Sequence, residues 1–207
     1  MVLGRGRIDW RWAGLKALAH ALALWPLAAL VQGVRLDSLG ADPVAAITHA
    51  TGDWALRLLL ASLAMTPLRH WTGRPWPIRF RRLLGLYAFF YASLHFATYL
   101  VLDLGGYWAQ VFDDIVKRPY ITVGFSAWLL LLPLAITSTR GWIRRLGRRW
   151  GQLHKLVYLI GVLAVLHYLW LVKSDLREPL LYAAVLAVLL GSRAWRAWRR
   201  RRAQPGA

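Results

Sequence analysis

Four histidines, His20, His95, His154 and His167, lie in or at the edge of long apolar segments of the sequence. His95 stands in "RRLLGLYAFFYASLHFATYL", and His154 and His167 stand near the two ends of "LHKLVYLIGVLAVLHYLW". An ionisable side chain in such an apolar setting is costly unless it is paired, solvated or bound to a metal. A neutral imidazole is the commonest metal ligand among side chains. These histidines are therefore candidates for metal coordination inside an apolar layer.

The depths of His95 and His167 match. If each segment is a helix, His95 lies 12 residues after Leu83, or about 18 Å at the usual helix rise. His167 lies 13 residues after His154, or about 20 Å. Two neutral imidazoles at one level on two helices can supply both axial ligands of a haem iron, with the porphyrin held between the helices. The spacing predicts a haem between the third and fifth apolar segments.

His154 is predicted to serve a second, lower site. Thirteen helical residues place His154 and His167 about 140° apart around an ideal helix, so the two rings cannot clamp one ligand. The residue 13 positions before His95 is Arg82, which stays protonated and does not ligate iron, but can pair with haem propionates. The ligand opposite His154 stays open among His20, His70, water and a loop group. The alternative is an interfacial His154 bonded to backbone or lipid phosphate.

The elements that carry these residues are six apolar windows. Helices of this kind need about 20 residues to cross about 30 Å of hydrocarbon, and the second and sixth windows are short by this measure. The windows are residues 13–31, 54–68, 83–102, 120–139, 154–172 and 179–191. We therefore predict an all-α membrane protein with a six-transmembrane helix bundle and a haem between helices 3 and 5. A short surface helix over residues 43–51, ended by Thr51 and Gly52, is expected before the second span.

The charges predict the orientation. The net charge is +18, and 21 of the 27 Lys and Arg residues fall on one side of an alternating six-span model, with eight of the nine acids on the other. Excess Lys and Arg mark the cytoplasmic side, so both termini are expected in the cytoplasm. The expected division is a tail over 1–12, a transmembrane domain over 13–191 and a basic tail over 192–207. Topology accounts for the basic charge, so nucleic acid is not an expected partner.

Other classes of chemistry find no support in the sequence. There is no cysteine, which excludes disulfides, cysteine-ligated iron–sulfur clusters and covalent c-type haem attachment. Nucleotide-binding glycine motifs, HExxH and a defensible Ser/His/Asp set are absent too. The first apolar segment is long for a signal peptide and lacks a clear small-x-small cleavage site, so it is expected to be retained.

Four stretches together resemble a known family. They are "LGADPVAAITHATGDWALRLLLASLAMTPLR", "RRLLGLYAFFYASLHFATYL", "KRPYITVGFSAWLLLLPLAITST" and "RRLGRRWGQLHKLVYLIGVLAVLHYLW". They resemble the MsrQ (YedZ) family of haem-binding membrane subunits of bacterial methionine sulfoxide reductase systems. This family belongs to the wider ferric-reductase-like transmembrane family, and the resemblance covers about residues 36–172.

The resemblance implies cofactors and partners. It implies one or two b-type haems held by His95, His154 and His167, with FMN as a further candidate cofactor. Electrons would come from the quinone pool or a cytosolic flavin reductase, and pass to the periplasmic molybdopterin enzyme MsrP, which repairs oxidised methionine. The resemblance further implies a multi-pass protein of the bacterial inner membrane, and a separate electron donor is expected because no NADPH or FAD domain is recognised in the sequence. Arg82 departs from the wider oxidase pattern, which has a second histidine there.

Three functions remain open at this stage. The leading hypothesis is an electron-transfer subunit that carries electrons from inside to outside and is not itself the catalytic subunit. A stand-alone haem reductase of ferric iron or oxygen would use the same ligands without a partner. A proton-coupled transporter would use the histidines as a relay, but it predicts acids within the spans, and none of the Asp and Glu residues lies mid-span.

Overall fold

The computed structural model describes residues 10–203, which are helical for most of their length. The α-helices are α1 (Trp10–Arg35), α2 (Pro43–Thr72), α3 (Arg81–Thr98), α4 (Trp108–Lys117), α5 (Pro119–Ile136), α6 (Arg140–Leu146), α7 (Arg148–Leu153), α8 (Leu156–Leu171) and α9 (Arg177–Arg202). A 3₁₀ helix spans Trp76–Arg79, and a π-helical turn over Tyr99–Asp103 continues α3. No strand occurs within residues 10–203, so the all-α prediction is confirmed.

Five helical stretches within the described residues are long and apolar enough to cross a membrane. They are Trp10–Arg35, Arg81–Asp103, Pro119–Ile136, Arg148–Leu171 and Arg177–Arg202. They correspond to five of the six predicted windows and identify a multi-pass helical membrane protein. The remaining window, the second, covers residues 54–68 and lies inside α2, where Asp53, Arg57 and Arg69 lower the apolar character of the helix. The six-span count and the cytoplasmic termini therefore stay predictions.

The described residues form two compact units, one ending at Pro43 and the other beginning at Val44. Helix α1 belongs to the first unit. The second unit holds α3 to α9 and nearly all of α2, and it contains His95, His154 and His167. Within it α5 packs along α8, α3 packs against α5, and α9 packs against α8. The predicted third and fifth spans are α3 and α8, and both of them pack against α5.

The core of the second unit lies where α2, α8 and α9 meet. Its buried residues are Leu56, Leu60, Leu63, Val165, Leu186 and Leu189. Gly161 of α8 lies close to Leu186, since a Cβ at Gly161 would be 3.1 Å from a Leu186 methyl carbon. Small residues let membrane helices approach closely and gain packing energy. This contact fixes α8, and hence His167, against the rest of the unit.

Helix α2 corrects one expectation. The short helix over residues 43–51 does begin at Pro43, but it does not end at Thr51 and Gly52, because α2 continues for 30 residues to Thr72. The Thr51 hydroxyl donates to the Ile47 carbonyl at 2.8 Å, within the helix. Gly52 is a helix-interior residue next to the His95 ring. Glycine is used where another group must come close to the backbone. Gly52 therefore makes room for the His95 ring, and the prediction that it ends a helix is wrong.

Candidate functional site

His95 of α3 and His167 of α8 lie next to each other, as their matching depths predicted. Their ring centroids are 6.1 Å apart and the ring planes are 76° apart. Both rings line a cavity of about 280 Å³ within the second unit. The structure thus brings together two imidazoles that are 72 positions apart in the sequence, 167 minus 95.

Both rings are held through the same nitrogen. His95 Nδ1 is 2.9 Å from the Thr48 carbonyl oxygen, and His167 Nδ1 is 2.7 Å from the Tyr120 carbonyl oxygen. A carbonyl oxygen can only accept, so each Nδ1 carries the proton and donates it. Each Nε2 is then left with a free lone pair, the state required of a metal ligand. The two carbonyls therefore select the ligating tautomer of both histidines.

Two glycines make room for the rings. A Cβ added at Gly124 of α5 would lie 2.7 Å from His167 Nδ1, and one at Gly52 of α2 would lie 3.1 Å from His95 Nδ1. Distances below about 3.0 Å do not occur for real Cβ atoms, so Gly124 is required by the position of the His167 ring. The sequence predicted neither role, since Gly124 was not singled out and Gly52 was expected to end a helix. Two helical glycines, each next to a histidine only in space, give no signal that one sequence can reveal.

The spacing of the two rings suits one metal ion between them. Metal–imidazole bonds of about 2.0–2.1 Å on opposite sides of an ion, plus about 1.1 Å from nitrogen to ring centre, put the centroids about 6.3 Å apart. The observed 6.1 Å is close to this value. No group of three or more His, Cys, Asp or Glu within residues 10–203 is placed to hold a metal. A haem needs only two protein ligands because the porphyrin supplies four nitrogens, so the residues present fit a haem.

The rest of the cavity wall is mainly apolar, as expected of a cofactor pocket. One wall is aromatic: Phe96 lies 4.7 Å from Trp128 and 5.5 Å from Phe125, measured between ring centroids. Trp128 Nε1 donates to Ser93 Oγ at 3.1 Å, which satisfies the half-buried indole. The polar lining residues include His49, Asp53, Tyr99, Asp103 and Arg118. His49 lines this cavity and is exposed.

His154 lies at a break between α7 and α8 and not within a continuous helix. Its ring stacks on Trp150 at 4.0 Å between centroids, and its Nε2 is 3.1 Å from Thr137 Oγ1. The Thr137 hydroxyl is also 2.6 Å from the Pro133 carbonyl oxygen. If that hydroxyl donates to the carbonyl, it accepts from Nε2 of His154. The break also removes the ideal helix on which the 140° angle depended, so the angle does not apply.

The remaining predicted site residues lie on three different helices, α1, α2 and α3. Arg82 is exposed at the start of α3, and His70 is exposed near the end of α2. His20 lies on α1 in the first unit. Arg81, next to Arg82, contributes its carbonyl oxygen to a 2.9 Å hydrogen bond from Ser62 Oγ. The ligand roles of His95, His154 and His167 and the propionate role of Arg82 stay predictions.

The fold and the paired histidines define the class of protein. The family model described as "ferric reductase like transmembrane component" matches residues 51–165. The match covers His95 and His154 and ends two residues before His167. No solved structure matches the chain.

Close relatives narrow the class. A relative from Xanthomonas axonopodis pv. citri is 66% identical over 187 residues, covering 87% of this chain and 86% of the relative. One from Xanthomonas campestris pv. campestris is 64% identical over 89% of this chain and 86% of the relative. One from Ralstonia nicotianae is 53% identical over 87% of both. Each is named protein-methionine-sulfoxide reductase heme-binding subunit MsrQ. The chain therefore belongs to the MsrQ family within the ferric-reductase-like transmembrane proteins.

Proposed function

We propose that this chain is a membrane electron-transfer subunit that binds b-type haem between His95 and His167. The observation that carries the proposal is the pairing of these two rings, with each Nδ1 bonded to a backbone carbonyl. Family membership supports it, since the relatives are named heme-binding subunits. Haem is taken to be non-covalent because the chain has no cysteine. A haem iron accepts and releases one electron at a time, which is the chemistry that the group supplies when bound.

The chain's own residues bind, orient and shield. His95 and His167 each offer Nε2 as a ligand, while Thr48 and Tyr120 hold the rings through their carbonyl oxygens. The apolar wall formed by Phe96, Phe125 and Trp128 excludes water from one side of the cavity. A protein sets the reduction potential of a haem partly through hydrogen bonds to the haem's ligands and partly through burial of the haem. These residues therefore prepare an electron site and not a site for bond-making on a substrate.

The proposed route runs from the cytoplasmic side to the periplasmic side. Electrons would enter from the quinone pool or a cytosolic flavin reductase, near the basic segments 69–82 and 140–155. FMN is a candidate cofactor of that entry side, where Arg82 would pair with a propionate or phosphate. Electrons would leave to a periplasmic molybdopterin methionine sulfoxide reductase, MsrP. The names of the relatives support a reductase partner of this kind.

The test is a reduced-minus-oxidised spectrum of the purified chain, followed by turnover with the partner. We expect a b-type signal, and methionine sulfoxide reduction that needs both this chain in a membrane and added MsrP. A chain produced with ample haem that shows no b-type signal would refute the proposal. Reduction of ferric iron or oxygen at the same rate with and without MsrP would instead favour a stand-alone reductase. Comparing quinol with a flavin reductase as donor identifies the source of the electrons.

Substitution of His154 tests the lower site. If His154 ligates a second haem, His154→Ala is expected to lower the haem-to-protein ratio by about half while the His95/His167 signal persists. Thr137→Val is the matched variant, since it removes the 3.1 Å contact to Nε2 without removing the imidazole. The measurement is haem content by pyridine haemochrome against protein concentration. An unchanged ratio and spectrum in His154→Ala would show that His154 is a structural residue bonded to Thr137.

A further inference from the structure

Arg118 is the one Lys or Arg among the described residues that line the cavity. It directly precedes Pro119, the first residue of α5, and follows α4. Its side chain is 47% exposed, so the guanidinium lies at the edge of the cavity and is not enclosed. A single cation at the rim of an otherwise mainly apolar pocket gives the pocket one point of attraction for an anion.

Asp114 of α4 holds this arginine in place. The Asp114 side chain is only 6% exposed, and its Oδ1 is 3.4 Å from Arg118 Nε. Its Oδ2 accepts a hydrogen bond from the Tyr99 hydroxyl at 2.7 Å. A buried carboxylate is retained only where it is well paired, and here both oxygens are engaged. The pairing with Asp114 uses the Nε side of the guanidinium, and the Tyr120 side chain is a second partner of Arg118. Because the guanidinium has five N–H donors in all, it can still donate to a further anion.

The same turn of α5 positions Arg118 and His167. Tyr120, two residues after Arg118, supplies the carbonyl oxygen that accepts from His167 Nδ1. Pro119 between them fixes the backbone at the first helical position. Helix α4 closes over this turn, because Val111 and Ile115 line the cavity and the Thr122 hydroxyl donates to the Ile115 carbonyl. The cation is thus rigidly placed with respect to the histidine pair.

The other charged lining residues act in the opposite sense. Asp53 and Asp103 also line the cavity, and Asp53 is paired with Arg57 at 3.4 Å. Carboxylates repel the acidic edge of any occupant and leave Arg118 as the favourable position for it.

We propose that Arg118 binds a carboxylate of the cavity's occupant, a haem propionate, and that Asp114 is a positioning residue for that contact. This inference rests on the proposed function. Arginine is suited to the role because its planar fork binds carboxylates in bidentate fashion. Arg118 would hold the propionate edge of the group at the rim of the cavity. The positive charge of Arg118 beside the propionate would also favour the reduced state of the haem iron.

The test compares Arg118→Gln with Lys117→Gln in the purified, haem-loaded chain. Lys117 is the adjacent residue, carries the same charge, is 70% exposed and pairs with Asp113, but does not line the cavity. We expect Arg118→Gln to reduce the equilibrium constant for haem reduction about tenfold, which is about 59 mV for one electron. We also expect its rate of haem loss to apomyoglobin to rise several-fold. Lys117→Gln should stay within about twofold of the native chain in both measurements.

Two further variants complete the test. Arg118→Lys keeps the charge but loses the planar fork, so it is expected to keep the equilibrium constant for haem reduction within about twofold and yet to speed haem loss several-fold. It tests the inference if Arg118→Gln does not fold, because unchanged haem loss in Arg118→Lys would contradict the bidentate contact. Asp114→Asn removes a negative charge, which by itself favours reduction, yet it is expected to speed haem loss because Arg118 is no longer held. Equal potentials and equal haem loss for Arg118→Gln and Lys117→Gln would overturn the inference. A native chain without haem would instead refute the proposed function.

Discussion

Alanine in place of His95 or His167 is expected to remove the b-type spectrum of the haem proposed to lie between these two histidines. Each imidazole is one of only two protein ligands proposed for the iron, so the loss should exceed the 10- to 100-fold drop in affinity that is typical when an outer-shell partner of a ligand is removed. The remaining histidine cannot replace the lost ligand, because its Nδ1 is bonded to a backbone carbonyl and only its Nε2 is available to the iron. The measurement is haem content and the reduced-minus-oxidised spectrum of each purified variant.

His49→Ala is the matched control for both variants. His49 lines the same cavity but is exposed and is given no ligand role. Its replacement is expected to leave the spectrum and haem content within about twofold of the native chain. A His95→Ala or His167→Ala variant that retains a native low-spin spectrum would contradict the assignment of that histidine. Equal losses of haem in His49→Ala and His95→Ala would contradict the assignment of both His95 and His167 as ligands.

A single methyl group at Gly124 is expected to disable the site without touching a ligand. In Gly124→Ala the new Cβ would lie 2.7 Å from His167 Nδ1 and 2.8 Å from Cε1, so the ring has to move away from the Tyr120 carbonyl. Alanine favours a helix by about 1 kcal/mol over glycine, so α5 itself should not be weakened. We expect haem affinity to fall about 10- to 100-fold, the range for losing an outer-shell hydrogen bond of a metal ligand. Haem titration of the apoprotein measures this change.

Two other glycines calibrate the effect. Gly191→Ala in α9 adds a Cβ with no atom within 4 Å, so it is expected to keep native haem affinity and to gain slightly in stability. Gly52→Ala is expected to give an intermediate loss, because its Cβ would lie 3.1 Å from the His95 ring. Native affinity in Gly124→Ala, or equal losses in all three variants, would show that the close approach of the rings does not matter for binding.

Much of the helical layout could be predicted because membrane spans leave a strong local signal. Five of the six apolar windows correspond to helices that can span a membrane. The window inside α2 does not, because Asp53 and Arg57 lie in or next to a short run of apolar residues. The proximity of His95 and His167 also followed from local information, since counting residues along two helices gives the depth of each side chain.

The features that depend on tertiary contacts could not be predicted from the sequence. Thr48 and Tyr120 act through backbone oxygens, which every residue has, so their identity carries no signal. Gly52 was interpreted as the end of a helix because glycine commonly stops helices, whereas its role depends on a ring from another helix. Arg118 belongs to no motif that the sequence reveals, and only the fold places it on the cavity wall. His154 lies at a helix break that an ideal-helix count does not include.

The hydrogen bonds from Nδ1 of His95 and His167 bear on how fast the site could exchange electrons. Each ring is anchored to the main chain of a different helix, α2 for His95 and α5 for His167. Rings held in this way would keep their orientation and tautomer when the bound iron gains or loses one electron. A polar site that is already arranged for both charge states needs little reorganisation during the reaction. The reorganisation energy of the pair should therefore be low, and transfer rates should depend mainly on distance and driving force.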